Sequence, residues 1–448
     1  MDGAESIEAP GQPNKWSIQW PRRFLGPPPG LIELNLGGWG LFLGFVVVPV
    51  LGRIWLDSRA GSIYTHLLPF DFIYFYGIGH ITNEYPLARL YDYALQLKVF
   101  NGIYPITDGA YGPSPYPPFV ALFFSLFAKL PLLPAYILWV FVSLALYIVG
   151  IGAVVKDIFP GERLKISLII SLALAFYPFS ICTLKNGQLA TIAVFSVGLA
   201  IFQERHSRPF ISGLALSLLA YKPTLLLFIV PMLLITRRFR ALGGFIAGAA
   251  ALALVAVAFG GVDIWIVYLH FLSFFRDATV VHGQSLLQLW EYVDFTSFSY
   301  AVPGGRSSLA LGLLTFASSA IVTALAVLLS KSAKGGRPVQ DLAWAVTLTW
   351  TLLLNFYVPV WDAILVVIAL VLTIGAMRDL GKNVTASWIR LLAMLMFAVS
   401  WNLAAKGNRH GSQMMMILLF ILGLVQLSLL YRAIGKEQPQ EASPLSAG

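Results

Sequence analysis

The chain has 448 residues, of which 58% are hydrophobic and 11% are charged, and its formal net charge is +9. Soluble proteins carry roughly 25% charged residues, so this sequence cannot cover a water-facing surface of its size. The basic residues form short clusters between apolar runs, which argues against a nucleic-acid-binding patch and fits lipid headgroups and cytoplasmic turns. The single cysteine, Cys182, supports neither a disulfide nor a thiolate metal site.

Long apolar runs predict an all-α fold, a polytopic transmembrane helical bundle. Trp39–Leu56, Ala135–Val155 and Gly411–Tyr431 are each close to the roughly 20 residues that cross a bilayer as a helix. The alternating segments of about ten residues that a membrane barrel needs are not found. Residues 1–35 are polar and proline-rich and are expected to form a cytoplasmic tail rather than a signal peptide.

Basic clusters orient the predicted spans. Arg22 and Arg23 precede the first span and place the N-terminus in the cytoplasm. The alternation of apolar runs and basic turns then predicts about 12 spans in a plasma (inner) membrane, with both termini cytoplasmic. The remaining predicted segments are a transmembrane domain at 36–435, a cytoplasmic tail at 436–448, and long extracytoplasmic loops at 57–118 and 260–306.

Two apolar segments differ from simple spans. The run 209–236 is interrupted by Lys222-Pro223 and has basic residues at both ends, which predicts two short helices with the break pointing outward. Pro117–Leu130 is apolar but proline-flanked, and its length is typical of an interfacial or re-entrant segment. Counting it as a span would invert every later basic cluster, so we expect it not to cross.

The predicted extracytoplasmic turns hold most of the remaining polar side chains. Such groups are costly within a membrane unless they are paired or functional. Their collection on one side therefore predicts a site that opens to the extracytoplasmic face. The residues concerned are Asp71, His80, Asn186, Gln188, Lys222, His270, Arg276, His282, Gln284, Asp362, Arg409 and His410.

Asp71 is the first candidate for catalysis. It lies just beyond the first span in an aromatic segment, where desolvation and nearby donors can tune its proton affinity for general-base work. The alternative interpretation is a helix cap or a partner for a basic residue.

Several short motifs occur in a characteristic order along the chain. Together they resemble glycosyltransferase family 87, the polyprenyl-phosphate-mannose-dependent α-mannosyltransferases of GT-C architecture. The similarity extends from residue 67 to about residue 365. The motifs are Asp71 with its following aromatics, Leu90-Tyr91-Asp92, Tyr116-Pro117-Pro118, Asn186-Gly187-Gln188, Tyr221-Lys222-Pro223-Thr224, Gln284-Ser285-Leu286, and Tyr357 with Asp362.

The resemblance implies a polyprenyl-phosphate sugar donor, usually of mannose, and a glycolipid or glycan acceptor. It also implies inverting transfer at the outer face, with Asp71 as the general base that takes the proton of the acceptor hydroxyl. The carrier phosphate leaves as an anion and needs cations or hydrogen-bond donors.

The candidate phosphate ligands are Lys222, Lys185, Arg409 and His410. Lys222 could instead be a lysine that reaches the interface, and headgroup contacts explain the other three nearly as well. The candidate ligands for sugar or acceptor are Asn186, Gln188, His282, Gln284, Tyr116 and Asp362. The amides could simply cap their turn, His282 could be structural, and Asp362 is expected to pair with Lys222 or Arg409.

Metal and nucleotide motifs are not found in the sequence. The outer loops have no Asp-x-Asp, and the chain has no His-x-x-x-His, cysteine pair or glycine-rich phosphate loop. A lipid phosphate can leave without a metal, so we predict a metal-independent enzyme without a cofactor. The main alternative is a transporter or flippase of lipid-linked sugars, and a further alternative is a non-catalytic scaffold of the cell envelope. The transporter is disfavoured because no inverted repeat with matching broken helices is found.

Overall fold

The structure is a computed structural model in which nearly all of the described chain is helical. An all-α fold is therefore confirmed; the strands in the described ranges are the antiparallel pair β1 (Val280–Val281) and β2 (Gln284–Ser285). The described residues are 30–48, 71–105, 111–278, 280–281, 284–285, 291–301, 304–356, 358–381, 383–402 and 411–437.

Ten helices occupy the described chain up to residue 260. A π-helical segment follows α1 at Leu43–Val47, and another, Pro178–Lys185, follows α6. The α-helices are α1 (Leu31–Phe42), α2 (Phe72–Glu84), α3 (Tyr93–Ile103), α4 (Pro118–Phe127), α5 (Leu132–Ile158), α6 (Arg163–Leu174), α7 (Ala190–Arg205), α8 (Pro209–Ser217), α9 (Leu226–Ile235) and α10 (Phe239–Gly260).

Seven further helices follow in the described chain. A 3-10 segment, Val360–Leu365, leads directly into the helix that begins at Val366. The α-helices are α11 (Asp263–Ala278), α12 (Phe295–Ala301), α13 (Ser308–Ser332), α14 (Arg337–Leu353), α15 (Val366–Asp379), α16 (Asn383–Asn402) and α17 (Gly411–Glu437).

Five described helices are long and apolar enough to cross a bilayer, and the number is six if α6 and Pro178–Lys185, bent by 58°, form one span. The fold is thus compatible with a helical membrane protein, while the count of about 12 spans stays a prediction. Helix α4 has 10 residues and is about 15 Å long, half of a hydrocarbon core of roughly 30 Å. The five are Leu132–Ile158, Phe239–Gly260, Ser308–Ser332, Val360–Asp379 and Met414–Lys436.

The predicted break at Lys222 is present. Helix α8 ends at Ser217, the 3-10 turns Leu218–Tyr221 and Pro223–Leu225 flank Lys222, and α9 begins at Leu226. A proline after Lys222 removes a backbone donor and prevents one continuous helix.

The predicted loops and tails are partly helical. Helices α2 and α3 lie within 57–118, and α11 and α12 lie within 260–306. Helix α1 begins at Leu31, inside the segment expected to be a tail, and α17 continues to Glu437. Most of both predicted tails lies outside the described residues.

Small residues let helices approach closely. A Cβ atom built on Gly198 of α7 would overlap the carbonyl group of Gly150 on α5, and one on Gly244 of α10 would overlap the carbonyl oxygen of Phe210 on α8. Backbone contact of this kind is how helices associate within membranes, where no hydrophobic difference drives them together.

Ion pairs tie several helices together at the end of the bundle where α5 and α7 end and α14 begins. Arg205 donates to Asp157 at 2.6 Å and to Asp341 at 2.5 Å. Arg238 pairs with Glu204 at 2.7 Å. The basic clusters read from the sequence as cytoplasmic turns are therefore partly engaged in links between helices.

Candidate active site

Asp71 lies directly before α2, whose first turns are buried. Phe72, Ile73 and Phe75 expose almost none of their surface, because they pack into an aromatic cluster with α4 and α5. Phe72 contacts the rings of Phe124 and Tyr136 at centroid distances of 6.3 and 5.6 Å. The aromatic run after Asp71 thus anchors the half-buried carboxylate at a fixed position.

The turn at Asn186–Gln188 packs directly against this segment. Gly187 has a φ of +75°, and a Cβ atom there would lie 2.7 Å from Cβ of Phe72. The indole Nε1 of Trp139 donates to the Gly187 carbonyl at 2.9 Å. Only a glycine meets both the left-handed backbone and the close approach.

The amides on either side of Gly187 are hydrogen-bond partners of Asp71. Burial raises the pKa of Asp71 to about 6, while hydrogen bonds from Gln188 and Asn186 oppose that shift. Gln188 is buried, and its backbone N–H donates to Thr183 at 2.9 Å. The result is an oriented carboxylate that changes protonation near neutral pH.

Glu291 is a second carboxylate of the site and was not identified from the sequence. Burial raises the pKa of Glu291 to about 7, and the negative charge of Asp71 raises it further. The two groups therefore lie close enough to titrate as a pair. A sequence signal existed, since Glu291 is the one acidic residue between Asp277 and Asp294, but it matched none of the motifs.

Backbone pairing between distant segments holds Glu291 in place. Tyr292 forms an isolated antiparallel bridge with Pro359, and the N–H of Val293 donates to Val358 at 2.8 Å. The N–H of Val358 in turn donates to Asp294 at 2.9 Å. The end of the predicted loop 260–306 is thus hydrogen-bonded to the segment that carries Asp362.

Lys222 and Asp362 form an ion pair. Asp362 is 1% exposed at its side chain, whereas Lys222 is 21% exposed, so the ammonium group keeps an accessible side. The predicted pairing of Asp362 is therefore found, with Lys222 as the partner. A lysine that merely reaches the interface would not carry a buried carboxylate.

Tyr116 lies near both Asp71 and Asp362. The charges of Asp362 and Asp71 both raise the pKa of its buried phenol, after the larger effect of burial. Its ring meets Phe75 edge-on at 5.0 Å, and its carbonyl accepts a hydrogen bond from Tyr91 at 2.8 Å. The resembling motifs around residues 71, 91, 116 and 362 thus meet in space.

The hydroxyl of Tyr221 has no hydrogen-bond partner within the described part of the chain, although it is buried. It precedes Lys222, and Asp362 and Tyr116 act on it electrostatically. A buried hydroxyl without a partner beside a lysine is a suitable donor for an oxygen-rich ligand.

The structure brings together most of the predicted site residues. Lys185 is exposed on the same turn as the amides, and its carbonyl accepts from Tyr136 at 2.6 Å. His282, Arg409 and His410 lie outside the described residues, as does the side chain of Gln284. The residues brought together are Asp71, Tyr116, Asn186, Gln188, Lys222 and Asp362.

The chemistry of the cluster is that of acid–base catalysis next to an anion site. It offers a tunable carboxylate, neutral amide donors and an accessible ammonium group. Over the described ranges, no group of three or more His, Cys, Asp or Glu side chains is placed to hold a metal ion. Metal independence stays a prediction.

The fold and the site together define a helical membrane protein with a polar, enzyme-like cluster at the ends of its helices. The chain belongs to glycosyltransferase family 87, because the sequence model of that family matches residues 115–356, more than half of the chain. The suspected family is thereby confirmed, and the protein is a membrane glycosyltransferase. No curated protein and no solved structure matches the chain. The matched stretch contains Tyr116, Lys222 and Glu291, whereas Asp71 and Asp362 flank it.

Proposed function

We propose that the protein transfers a hexose, with mannose as the first candidate, from a polyprenyl-phosphate donor to a hydroxyl of a glycolipid or glycan. Transfer occurs at the extracytoplasmic face and inverts the anomeric centre. The observation that carries the proposal is the Asp71 carboxylate, fixed by two amides and with a pKa of about 6. An oriented carboxylate of this kind is suited to deprotonate an incoming alcohol.

The reaction is a single displacement at the anomeric carbon. The acceptor oxygen forms its bond to that carbon while the bond from carbon to the phosphate oxygen breaks. The acceptor proton moves to Asp71, and the bonding electron pair leaves with the lipid phosphate. Asn186 and Gln188 keep the carboxylate aimed at the acceptor through their hydrogen bonds, which supplies orientation.

The departing phosphate needs a cation and donors. Lys222 is the primary candidate because its ammonium group is partly accessible, and a lysine acts as a point charge for phosphate. Asp362 holds Lys222 in place and limits its reach. The hydroxyl of Tyr221 and the exposed Lys185 are additional donors, and Arg409 and His410 remain predicted ligands of the same phosphate.

The acceptor side is assigned to the groups around Asp71. Tyr116 and Glu291 lie beside the carboxylate and are placed to bind sugar hydroxyls. His282 and Gln284 of the second predicted loop remain predicted ligands of the sugar or the acceptor. No metal ion is required in this scheme, so EDTA is expected to leave the rate unchanged.

The test is transfer by the purified protein in detergent, given a synthetic polyprenyl-phosphate mannose and a glycolipid extract. Asp71→Asn is expected to reduce the rate by about 10²–10⁴-fold, the range for loss of a general base. The matched control is Asp263→Asn, since Asp263 is an exposed aspartate and is not among the residues assigned to the site. Its rate should equal that of the unmodified protein.

The same variants separate the enzyme from a transporter of lipid-linked sugars. Transfer that survives Asp71→Asn, in a folded protein of normal yield, contradicts the proposed role of Asp71. Movement of a fluorescent lipid-linked sugar across vesicles, without any transfer, would favour the transporter instead.

A further inference from the structure

A large apolar cleft lies apart from the Asp71 cluster, between α1, α6, α15 and α16. Its volume is about 490 Å³, within the roughly 300–1,000 Å³ of ligand sites. Several of its walls, including Ile169, Val367 and Ala393, are only half-buried. These side chains are therefore accessible from the hydrocarbon side of the bundle.

The length of the cleft matches one leaflet. Along α15 it extends from Val366 to Arg378, and the twelve residue-to-residue steps between them rise about 18 Å in an α-helix. Half of a hydrocarbon core of roughly 30 Å is about 15 Å. An extended acyl chain that enters at the level of the headgroups would therefore fill it.

One end of the cleft is cationic. Lys165, Arg378 and Arg390 line it there together with Glu33, and Glu162 and Asp379 pair with the first two of these cations. Lys165 and Arg378 both lie over the ring of Phe159, at 4.7 and 5.1 Å from its centroid. The cleft therefore combines an apolar channel with a charged rim that holds three cations and the carboxylates paired with two of them.

Arg390 is the least engaged of the three cations. Lys165 and Arg378 pair with Glu162, at 2.5 and 3.6 Å, and Arg378 also pairs with Asp379 at 3.0 Å. Among the described residues, Arg390 has no carboxylate within ion-pair distance and donates only to the hydroxyl of Ser387, at 2.9 Å. It is exposed and free to bind an anion at the rim.

The cationic rim and the catalytic cluster lie at opposite ends of α15. Asp362 precedes the Val366 end of α15, whereas Arg378 is at the opposite end of that helix. A donor whose phosphate lies at Lys222 cannot place the same phosphate at Arg390. The occupant of the rim is therefore a different lipid.

We propose that this cleft binds one anionic phospholipid of the surrounding bilayer, with an acyl chain along the apolar walls and its phosphate at Lys165, Arg378 and Arg390. The complementarity is that of a single-chain channel with cations at headgroup level, among which Arg390 has no carboxylate partner in the described residues. The cleft uses none of the groups assigned to sugar transfer, whereas the exclusion of the donor from it rests on the proposed phosphate site at Lys222.

The test is native mass spectrometry of the full-length protein, delipidated and then titrated with phosphatidylglycerol or phosphatidylcholine of equal chain length. One phosphatidylglycerol is expected to remain bound at concentrations where phosphatidylcholine is lost. Arg390→Gln should weaken its retention about fivefold, the equivalent of about 1 kcal/mol for one basic group. Arg163→Gln is the control, because Arg163 is an exposed arginine at the start of α6 outside the cleft lining.

A second pair of variants tests the apolar channel. Gly37 lines the cleft, Gly40 does not, and a Cβ atom at either meets nothing within 4 Å. Gly37→Phe should abolish retention of phosphatidylglycerol, whereas Gly40→Phe should preserve it.

Four results would overturn the proposal. They are equal retention of both phospholipids by the unmodified protein, full retention by Arg390→Gln, displacement by free glycerol phosphate at the same concentration as by lipid, and a tightly bound polyprenyl phosphate in place of the phospholipid. Should Gly37→Phe fail to fold, the comparison of the two phospholipids and Arg390→Gln decide the question.

Discussion

At the scale of single residues, the burial of the Asp71 carboxylate lowers the stability of the folded protein at neutral pH and raises the proton affinity of the proposed base. Its pKa of about 6 in the folded protein stands against a usual value of 3.8, because burial penalises the charged form more than the amides of Asn186 and Gln188 compensate. A base must be ionised to accept a proton. The rate of transfer is therefore expected to rise with pH through about 6, and measurement of kcat/KM from pH 5 to 8 checks it.

The same shift has a consequence for stability. A carboxyl group with a raised pKa in the folded state binds its proton more tightly there than in the unfolded chain. The contribution of Asp71 is therefore fully favourable below about pH 4 and is lost as the pH rises through about 6. Asp71→Asn should raise Tm at pH 7.5, with a smaller effect at pH 4.5, in thermal unfolding monitored in detergent. An unchanged or lower Tm at pH 7.5 would contradict the cost assigned to burial of this charge.

The ionisation of Glu291 is expected to set the alkaline side of the pH profile of the transfer rate. It ionises with a pKa of about 7, in the presence of the charged Asp71, and a second negative charge would repel the departing phosphate. The rate should therefore fall above about pH 7, and Glu291→Gln should remove that fall while the rise near pH 6 persists. The control is Glu84→Gln, because Glu84 is an exposed glutamate. Asp294, although nearer in sequence, accepts a structural hydrogen bond from Val358 and would not serve. A profile that Glu291→Gln leaves unchanged would exclude this role.

At the scale of elements, the turn at 186–188 decides whether the site forms. Gly187→Ala meets two penalties, a left-handed φ of +75° and a Cβ atom 2.7 Å from Phe72. The first costs about 1–2 kcal/mol, and the second moves Asn186 and Gln188 away from Asp71. We expect a loss of activity of more than tenfold, together with a lower Tm.

Gly161 offers a matched control for that substitution. Its φ is +82°, but a Cβ atom there meets nothing within 4 Å. Gly161→Ala should therefore lower Tm through backbone strain alone and leave transfer intact. Equal activity of the two variants would show that close packing of the turn on Phe72 is not needed for the site.

The features that could be predicted from the sequence are those that depend on neighbouring residues. The break at Lys222 follows from the proline after it, and long apolar runs predicted α5 and α17 within a few residues. The amide turn, Tyr116 and Lys222 were found because the motifs that contain them resemble one family in their order. The 58° bend between α6 and the π-helical segment has no such local signature.

Glu291 could not be found in this way, because its position depends on a contact between distant segments. The bridge from Tyr292 to Pro359 and the hydrogen bond from Val358 to Asp294 connect parts of the chain more than 60 residues apart. Nothing in the sequence near Glu291 shows that this pairing forms. The same limit applies to the cleft between α1, α6, α15 and α16, which exists only once four helices pack.

At the scale of the whole molecule, the bundle carries different chemistry at its two ends. Asp71, Glu291 and the Lys222–Asp362 pair lie at one end of α2, α9 and α15. Ion pairs among Asp157, Arg205 and Asp341 connect α5, α7 and α14 at the other. The reactive end can therefore keep costly, partly unpaired polar groups while paired charges hold the helices together elsewhere.

Arg205 is the centre of that second network, and its removal tests the division. Its side chain is 10% exposed and joins Asp157 and Asp341. Arg205→Met would leave two carboxylates without their main cation in a poorly hydrated position, which costs about 3–5 kcal/mol. We expect a clearly lower Tm in detergent, whereas Arg208→Met, at a neighbouring exposed arginine, should match the unmodified protein. Because Arg205 is remote from the Asp71 cluster, the Arg205→Met protein that remains folded should keep the acid limb of its pH profile near 6. A shift of that limb would instead show that the two ends of the bundle are coupled.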